Sequence, residues 1–186
     1  SGDDVLGGTD MSDDIDGGAG ADILFGGSGG DLLKGGAGSD ILIGGADGAR
    51  DLFGFTPRDV ARFENSASNF TVESGFNLAI LSTVDTTAVG FDANDLATAF
   101  ETTSSVVNVY ADADVGNIGT GYVAFPVTKV TDNAGTTSDT SDDVVDYLSG
   151  IEYLEFSDSF ARLDVEVRQF DLDKDGVQET ADISGT

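Results

Sequence analysis

The sequence predicts a mostly-β protein, with a coil of short parallel strands over residues 1–53 and a β-rich domain with one short helix over residues 54–186. Two observations predict the coil. Glycine pairs recur every nine residues from Gly17 to Gly45, and most are followed at fixed spacing by an aspartate and an aliphatic residue. A third observation predicts the domain: the later chain carries short runs of β-branched and aromatic residues between polar turns.

Each nine-residue unit has two halves with different physical properties. Paired glycines allow positive φ and close backbone approach, so the first six residues can turn tightly. The last three carry one aliphatic side chain, which suits a short strand with one inward position. Two units then form one coil of about eighteen residues, and we expect each residue to lie above the residue eighteen positions earlier.

This stacking places aspartates directly above one another. We expect two rows, Asp4, Asp22 and Asp40 on one edge and Asp13, Asp31 and Asp51 on the other. Stacked carboxylates repel one another, and a divalent cation removes the conflict. Calcium prefers six to eight carboxylate and carbonyl oxygens, whereas magnesium requires a stricter octahedron. The chain has no His and no Cys, so zinc and iron are poor candidates.

The repeats resemble the repeats-in-toxin (RTX) nonapeptide, G-G-x-G-x-D-x-U-x. Units 17–25, 26–34 and 35–43 match every defined position. A flexible Gly/Asp linker would not keep an aliphatic residue at the eighth position of each unit. The resemblance implies a parallel β-roll that holds several calcium ions. Besides the two aspartate rows, the predicted ligands include the turn glycines Gly18, Gly20, Gly27, Gly29, Gly36 and Gly38.

Units at both ends of the array depart from the pattern. Residues 8–16 keep Asp13 in register, but Asp10 and Met11 are interpreted as standing where glycines belong. That turn is expected to bind calcium poorly or to use Asp10 as an extra ligand. The unit from Gly44 has two extra residues and is interpreted as the last coil. Since Ser1 begins in the middle of a turn, we expect the chain to be a fragment of a longer protein.

Composition restricts the partners. The chain has 35 acidic and 8 basic residues and a net charge of −27, which argues against nucleic acid and anionic membranes. No stretch approaches the roughly 20 apolar residues of a membrane span. With no Cys for disulfides, bound metal can stabilise an extracellular fold. The family resemblance implies a bacterial protein, exported by the type I secretion machinery to the outside of the cell or its surface.

Several short elements are predicted after the repeats. Pro57 is expected to end the roll by removing a ladder donor, and a helix is predicted over residues 92–101. The segment 76–126 is interpreted as an insertion. A strand is predicted for each of several short runs rich in apolar residues: residues 59–63, 70–72, 78–81, 106–110, 122–125, 127–130, 144–148, 151–156 and 163–167.

Two motifs in the later chain carry further resemblances. The first resembles a module of secreted bacterial proteins of this kind, and the second resembles a calcium-binding loop. Residues 146–158 resemble a D-x-L-x-G-I-E-x-L-x-F-x-D module that often follows such repeats. A D-x-D-x-D-G-x-x-E run near the C-terminus alternates carboxylates so that three can face one centre. We expect a second type of calcium site there, in a loop between strands, with ligands Asp171, Asp173, Asp175, Glu179 and Asp182.

These features favour a non-catalytic calcium-binding module that folds after secretion and caps the C-terminal end of a larger extracellular protein. The absence of His and Cys excludes Ser-His-Asp, Cys-His and His-based zinc chemistry within this chain. Two alternatives remain open. The insertion could form a calcium-dependent adhesive or carbohydrate-binding surface, with a surface or glycan ligand. The chain could also be the non-catalytic tail of a secreted protease, lipase or epimerase.

Overall fold

The structure, a computed structural model, describes residues 2–47, 57–81, 108–111, 122–133, 143–163, 169–170 and 179–180. Strands dominate these residues, and one short 3₁₀ helix covers Ala67–Asn69. Among the helices of the described part, none is long and apolar enough to cross a membrane. The sequence-based prediction of a mostly-β fold with a parallel β-roll is confirmed.

The repeat strands alternate between two sheets. The first sheet contains β1 (Val5–Gly7), β3 (Ile23–Gly29) and β5 (Ile41–Asp47), and the second contains β2 (Asp14–Ala19) and β4 (Leu32–Ala37). All neighbouring repeat strands run parallel. Val5 pairs with Ile23, and Ile23 pairs with Ile41, so the register offset is eighteen residues. This offset confirms the predicted coil of two nine-residue units.

Strands from the later chain continue both sheets of the roll. β6 (Val60–Arg62) pairs in parallel with β4, and β11 (Tyr153–Glu155) pairs in parallel with β6. On the other sheet, β10 (Val144–Ser149) pairs in parallel with β5. The prediction that Pro57 ends the roll is therefore wrong. Pro57 precedes β6 and lies in no described strand, so its missing N–H removes no ladder bond.

Beyond β10 the first sheet becomes antiparallel. β10 pairs with β9 (Tyr122–Asp132), β9 with β7 (Phe70–Leu81), and β7 with β8 (Asn108–Ala111). The two runs predicted on either side of Pro126 form one continuous strand, β9. Pro126 is tolerated there because the pairing of β9 with β10 extends only as far as Thr128. The runs predicted at 70–72 and 78–81 are likewise parts of one strand, β7.

Short strands complete the described part. β12 (Phe160–Arg162) pairs antiparallel with β11, and β13 (Gln169–Phe170) pairs antiparallel with β14 (Glu179–Thr180). β12 precedes the strand predicted at 163–167: Leu163 lies in no strand, and residues 164–168 lie outside the described residues. The predicted helix over 92–101 also lies outside them.

Repeat and later residues share one hydrophobic core between the two sheets. The aliphatic residue at the eighth position of each matching unit points inward, as Leu24, Leu33 and Leu42 are at most 1% exposed. They cluster with buried residues from the later strands, including Leu148 and Leu154. The remaining buried members of this cluster are Ala61, Val130, Ile151 and Phe156. Because six of the nine buried members come from the later chain, the repeats and the later chain bury their apolar surface together.

Candidate metal centre

Carboxylates along the first edge of the roll form a hydrogen-bonded ladder. The backbone N–H of Asp4 donates to Oδ1 of Asp22, and that of Asp22 donates to Oδ1 of Asp40, each at 2.8 Å. The N–H of Asp40 then donates to Oδ1 of Asp146 at 2.8 Å. This first ladder contains the three aspartates predicted for the row, and Asp146 is its last member.

A second ladder runs along the other edge. The N–H of Asp13 donates to Oδ1 of Asp31, and that of Asp31 donates to Oδ1 of Asp59, each at 2.8 Å. The N–H of Asp59 donates to Oε2 of Glu152 at 2.8 Å. The place above Asp31 that was predicted for Asp51, in a unit with two extra residues, is thus held by Asp59. Asp51 itself lies outside the described residues.

Three ladder members come from outside the repeats, and sequence reasoning missed all three as site residues. Each begins a triplet in which an acidic residue is followed, two positions later, by a buried apolar residue. The triplets are Asp59-Val60-Ala61, Asp146-Tyr147-Leu148 and Glu152-Tyr153-Leu154. This is the second half of the nonapeptide, which at Asp59 is separated in sequence from its glycine pair, Gly44 and Gly45, and at Asp146 and Glu152 has no glycine pair before it. Searching for that half alone would have found them.

In both ladders, buried carboxylates keep one oxygen that has no hydrogen-bond donor. Asp22, Asp31 and Asp40 are each 1% exposed. Their Oδ2 atoms are buried and have no hydrogen-bond partner among the described residues. The ion pairs of Lys34, Arg62 and Lys129 are formed with acids that belong to neither ladder: Asp16, Glu64, Glu155 and Glu73. Buried carboxylates in this state require a proton or a cation to neutralise them.

The pKa values of three ladder carboxyls, those of Asp31, Asp40 and Asp146, reflect their burial. Removal from water raises the pKa of Asp31, and the nearby charge of Asp13 adds to the rise. Burial, with a contribution from Asp22, raises the pKa of Asp40 to about 6. Burial, with contributions from Asp40 and Asp132, raises the pKa of Asp146 to about 7. Each rise means that the metal-free fold disfavours the charged carboxylate.

The first glycine of each unit leaves a space beside these oxygens. A methyl group on Gly17 would lie 2.6 Å from Oδ2 of Asp22 and 2.8 Å from the carbonyl oxygen of Gly35. At Gly26 the corresponding neighbours are Oδ2 of Asp31 and, at 2.5 Å, the carbonyl oxygen of Gly44. Two acceptor oxygens from successive coils therefore flank one small space, and only glycine leaves it open.

The glycines that were predicted as ligands occupy the same turns. Gly18, Gly27 and Gly36 have φ values of 96°, 108° and 107°, a region that L side chains rarely adopt. Gly20, Gly29 and Gly38 also have positive φ. The carbonyl oxygen of Gly18 lies directly against Gly36, and that of Gly20 against Gly38. Turn carbonyls are therefore stacked from coil to coil, beside the ladders.

This donor set fits calcium. In the described part of the chain no three acidic side chains converge on one point, so a cation there must take many of its ligands from backbone carbonyls. Calcium accepts such mixed carboxylate and carbonyl sets with six to eight oxygens. The residues that would hold it are Asp22, Asp31 and Asp40 together with the turn glycines. Bound calcium would supply the positive charge that neutralises the buried carboxylates.

Comparison with protein-family models identifies the N-terminal part of the chain. The model of the RTX calcium-binding nonapeptide repeat, which spans four copies, matches residues 1–33 and again residues 16–48. Residues 1–48 are RTX calcium-binding repeats. A search of curated proteins found no match, and neither did a search of solved structures. The part of the chain that carries the RTX repeats is therefore a calcium-binding module.

The first RTX turn departs from the other turns, but not at the same residues as predicted. The carbonyl oxygen of Thr9 lies against Gly27, and Met11 lies against Gly29. The stacking thus puts Thr9 and Met11 at the glycine positions, and the assignment of Asp10 to one of them is wrong because it was one residue out of register. Asp10 and Met11 are exposed. The side chain that reaches the ladder residue Asp13 is that of Thr9.

The predicted C-terminal calcium loop lies almost entirely outside the described residues. The described residues do not include Asp171, Asp173, Asp175 or Asp182. Glu179 is described as the first residue of β14, and it pairs with Phe170 of β13. Two short antiparallel strands therefore flank residues 171–178. The calcium site of this loop stays a prediction.

Proposed function

We propose that this chain is a non-catalytic module that folds when calcium binds to its RTX repeats. The observation that carries the proposal is the set of buried Oδ2 atoms of Asp22, Asp31 and Asp40, which have no hydrogen-bond partner among the described residues. In the metal-free chain these charges oppose folding. Calcium binds the folded roll and not the extended chain, so its binding free energy becomes folding free energy.

The later strands cap the end of the roll. An open roll would expose unpaired strand edges and a row of carboxylates. β10 covers the edge of β5, and β11 covers that of β6. Asp146 and Glu152 accept the last ladder N–H groups. We assign the capping role within residues 54–186 to these strands, which join the repeats in one core.

Calcium-dependent folding suits export of a larger bacterial protein by the type I route to the cell exterior or surface. The net charge of −27 keeps the metal-free chain extended through self-repulsion. Extracellular calcium modules bind at roughly 10⁻⁴–10⁻³ M, so a chain of this kind stays unfolded in a low-calcium cytoplasm. A calcium midpoint for folding below about 10⁻⁶ M would contradict this proposal, because the chain would then fold before export.

The non-catalytic assignment rests on the residue types in the chain. There is no His and no Cys anywhere in its 186 residues. General base and nucleophile systems that depend on those side chains are therefore absent from this chain. Acidic pairs that resemble glycosidase carboxylates arise by chance in a chain with 35 acidic residues, so they carry no weight.

Circular dichroism of the full chain tests the folding proposal. Spectra are recorded in chelator, in millimolar calcium and in millimolar magnesium, each at the same ionic strength. We expect strand signal and a cooperative thermal transition in calcium, and a largely disordered spectrum in chelator. Magnesium should be a weaker substitute because it demands octahedral geometry. A chelated chain that is already as ordered as the calcium-loaded chain would refute the proposal.

A further inference from the structure

The first RTX turn satisfies its carboxylate in a way that the next three turns do not. In the turns that end at Asp22, Asp31 and Asp40, Oδ2 has no hydrogen-bond partner among the described residues. In the turn that ends at Asp13, the same oxygen accepts the N–H of Thr9 at 2.6 Å and its Oγ1–H at 2.9 Å. Oγ1 of Thr9 also accepts the N–H of Met11 at 3.2 Å.

The surrounding backbone nevertheless matches the other turns. The carbonyl oxygen of Thr9 lies against Gly27, just as that of Gly18 lies against Gly36. A methyl group on Gly8 would lie 2.8 Å from Oδ2 of Asp13 and would also meet the carbonyl oxygen of Gly26. The carboxylate and the carbonyl therefore flank the same kind of space as in the other turns. What differs is the pair of hydrogen-bond donors that Thr9 supplies.

We propose that Thr9 takes the place of a cation in the first turn, so that this turn closes without calcium. The inference rests on the proposed function, in which the later turns close on calcium. An oxygen whose two lone pairs already accept hydrogen bonds must give up at least one of them before it can bind a metal, and the open oxygens of Asp22, Asp31 and Asp40 carry no such cost. Thr9 is thus the residue that decides whether the first turn takes up metal.

Counting bound calcium in variants of the full chain tests this inference. Equilibrium dialysis against millimolar calcium, with total calcium measured on both sides of the membrane, gives the number of ions per chain. Thr9→Gly restores the second glycine of the unit and removes the hydroxyl, and we expect it to bind one more calcium ion than the wild type. Thr9→Ser keeps the hydroxyl, and its count should equal that of the wild type. A Thr9→Gly count equal to that of the wild type overturns the inference.

A second pair of variants keeps the test valid if Thr9→Gly folds poorly. Asp13→Asn should leave the calcium count of the chain unchanged, whereas Asp31→Asn should lower it by one. A loss of one ion in Asp13→Asn would mean that the first turn already holds calcium, and would overturn the inference. A wild-type chain that binds no calcium would instead overturn the proposed function, and the inference with it.

Discussion

Replacing Asp40 by asparagine should change stability in opposite directions with and without calcium. Asp40 is 1% exposed, and its Oδ2 has no hydrogen-bond partner among the described residues. Its pKa of about 6, against an ordinary 3.8, means that the metal-free fold disfavours the charged carboxylate by roughly 3 kcal/mol at neutral pH. Asparagine removes that penalty, and its amide oxygen can still accept the N–H of Asp22.

In calcium the same substitution removes a charged ligand. We expect the affinity of that site to fall at least tenfold, which corresponds to about 1.4 kcal/mol or more. The assay uses two arms with the full chain at pH 7.5. In chelator, the concentration of a stabilising osmolyte needed to fold the chain should fall in Asp40→Asn. In millimolar calcium, the urea midpoint should fall.

Asp14→Asn is the matched control because it removes the same charge from an exposed position of β2. It should move both midpoints only slightly, since surface charges contribute little. If Asp40→Asn shifts both midpoints in the same direction, or shifts neither by more than Asp14→Asn does, the buried ladder carboxylate does not have the role assigned to it.

Three further predictions follow from the same geometry. Gly26→Ala puts a methyl group 2.5 Å from a turn carbonyl and even closer to a ladder carboxylate, so calcium-induced folding should be lost or need at least tenfold more calcium. Gly7→Ala, whose added methyl group would meet nothing within 4 Å, should retain calcium-induced folding. Equal calcium titrations of the two variants would contradict the role given to the space beside the ladder carboxylates. The metal-free chain should gain stability as pH falls from about 8 to 4, because the folded-state pKa values of Asp40 and Asp146, about 6 and 7, lie above the ordinary 3.8. Osmolyte-induced folding in chelator at several pH values measures this stability. A loss of stability over that range would contradict the prediction. Phe156→Ala should destabilise the calcium-loaded chain by about 3–5 kcal/mol in urea unfolding, because Phe156 is 6% exposed and packs against two other rings; a change below about 1 kcal/mol would contradict the shared core.

The local repeat could be predicted from the sequence because its period appears directly in the residue order. The nine-residue spacing fixed the alternation between turn and strand, and two such units per coil gave the eighteen-residue register that Val5, Ile23 and Ile41 adopt. The rows from Asp4 to Asp40 and from Asp13 to Asp31 followed from this register, as did the inward direction of the eighth residue.

The ladder members that follow the repeats could not be predicted from the eighteen-residue register. Asp59 lies 28 residues after Asp31, and Asp146 lies 106 residues after Asp40. Once the two halves of a unit are separated, or the glycine half is lost, the chain can leave the roll and return after any number of residues. Which strand returns is then decided by the shared core and by the pairing of β10 with both β5 and β9.

The first turn illustrates a different limit. A glycine position filled by threonine indicates a damaged unit, and the spacing alone does not say what replaces the lost function. Only the hydrogen bonds between Thr9 and Asp13 reveal how the carboxylate is satisfied. The one-residue error at Asp10 has the same origin, because a unit with few defined positions leaves its internal alignment weakly determined.

The most direct test of calcium-coupled folding is amide hydrogen exchange of the full chain across a calcium titration, followed by mass spectrometry. Residues 17–47 of the roll and residues 144–155 of β10 and β11 share ladders and core. We predict that both segments exchange freely in chelator and gain protection at the same calcium concentration. Protection of residues 144–155 in chelator, with residues 17–47 protected only in calcium, would contradict the coupling of the two segments through the ladders.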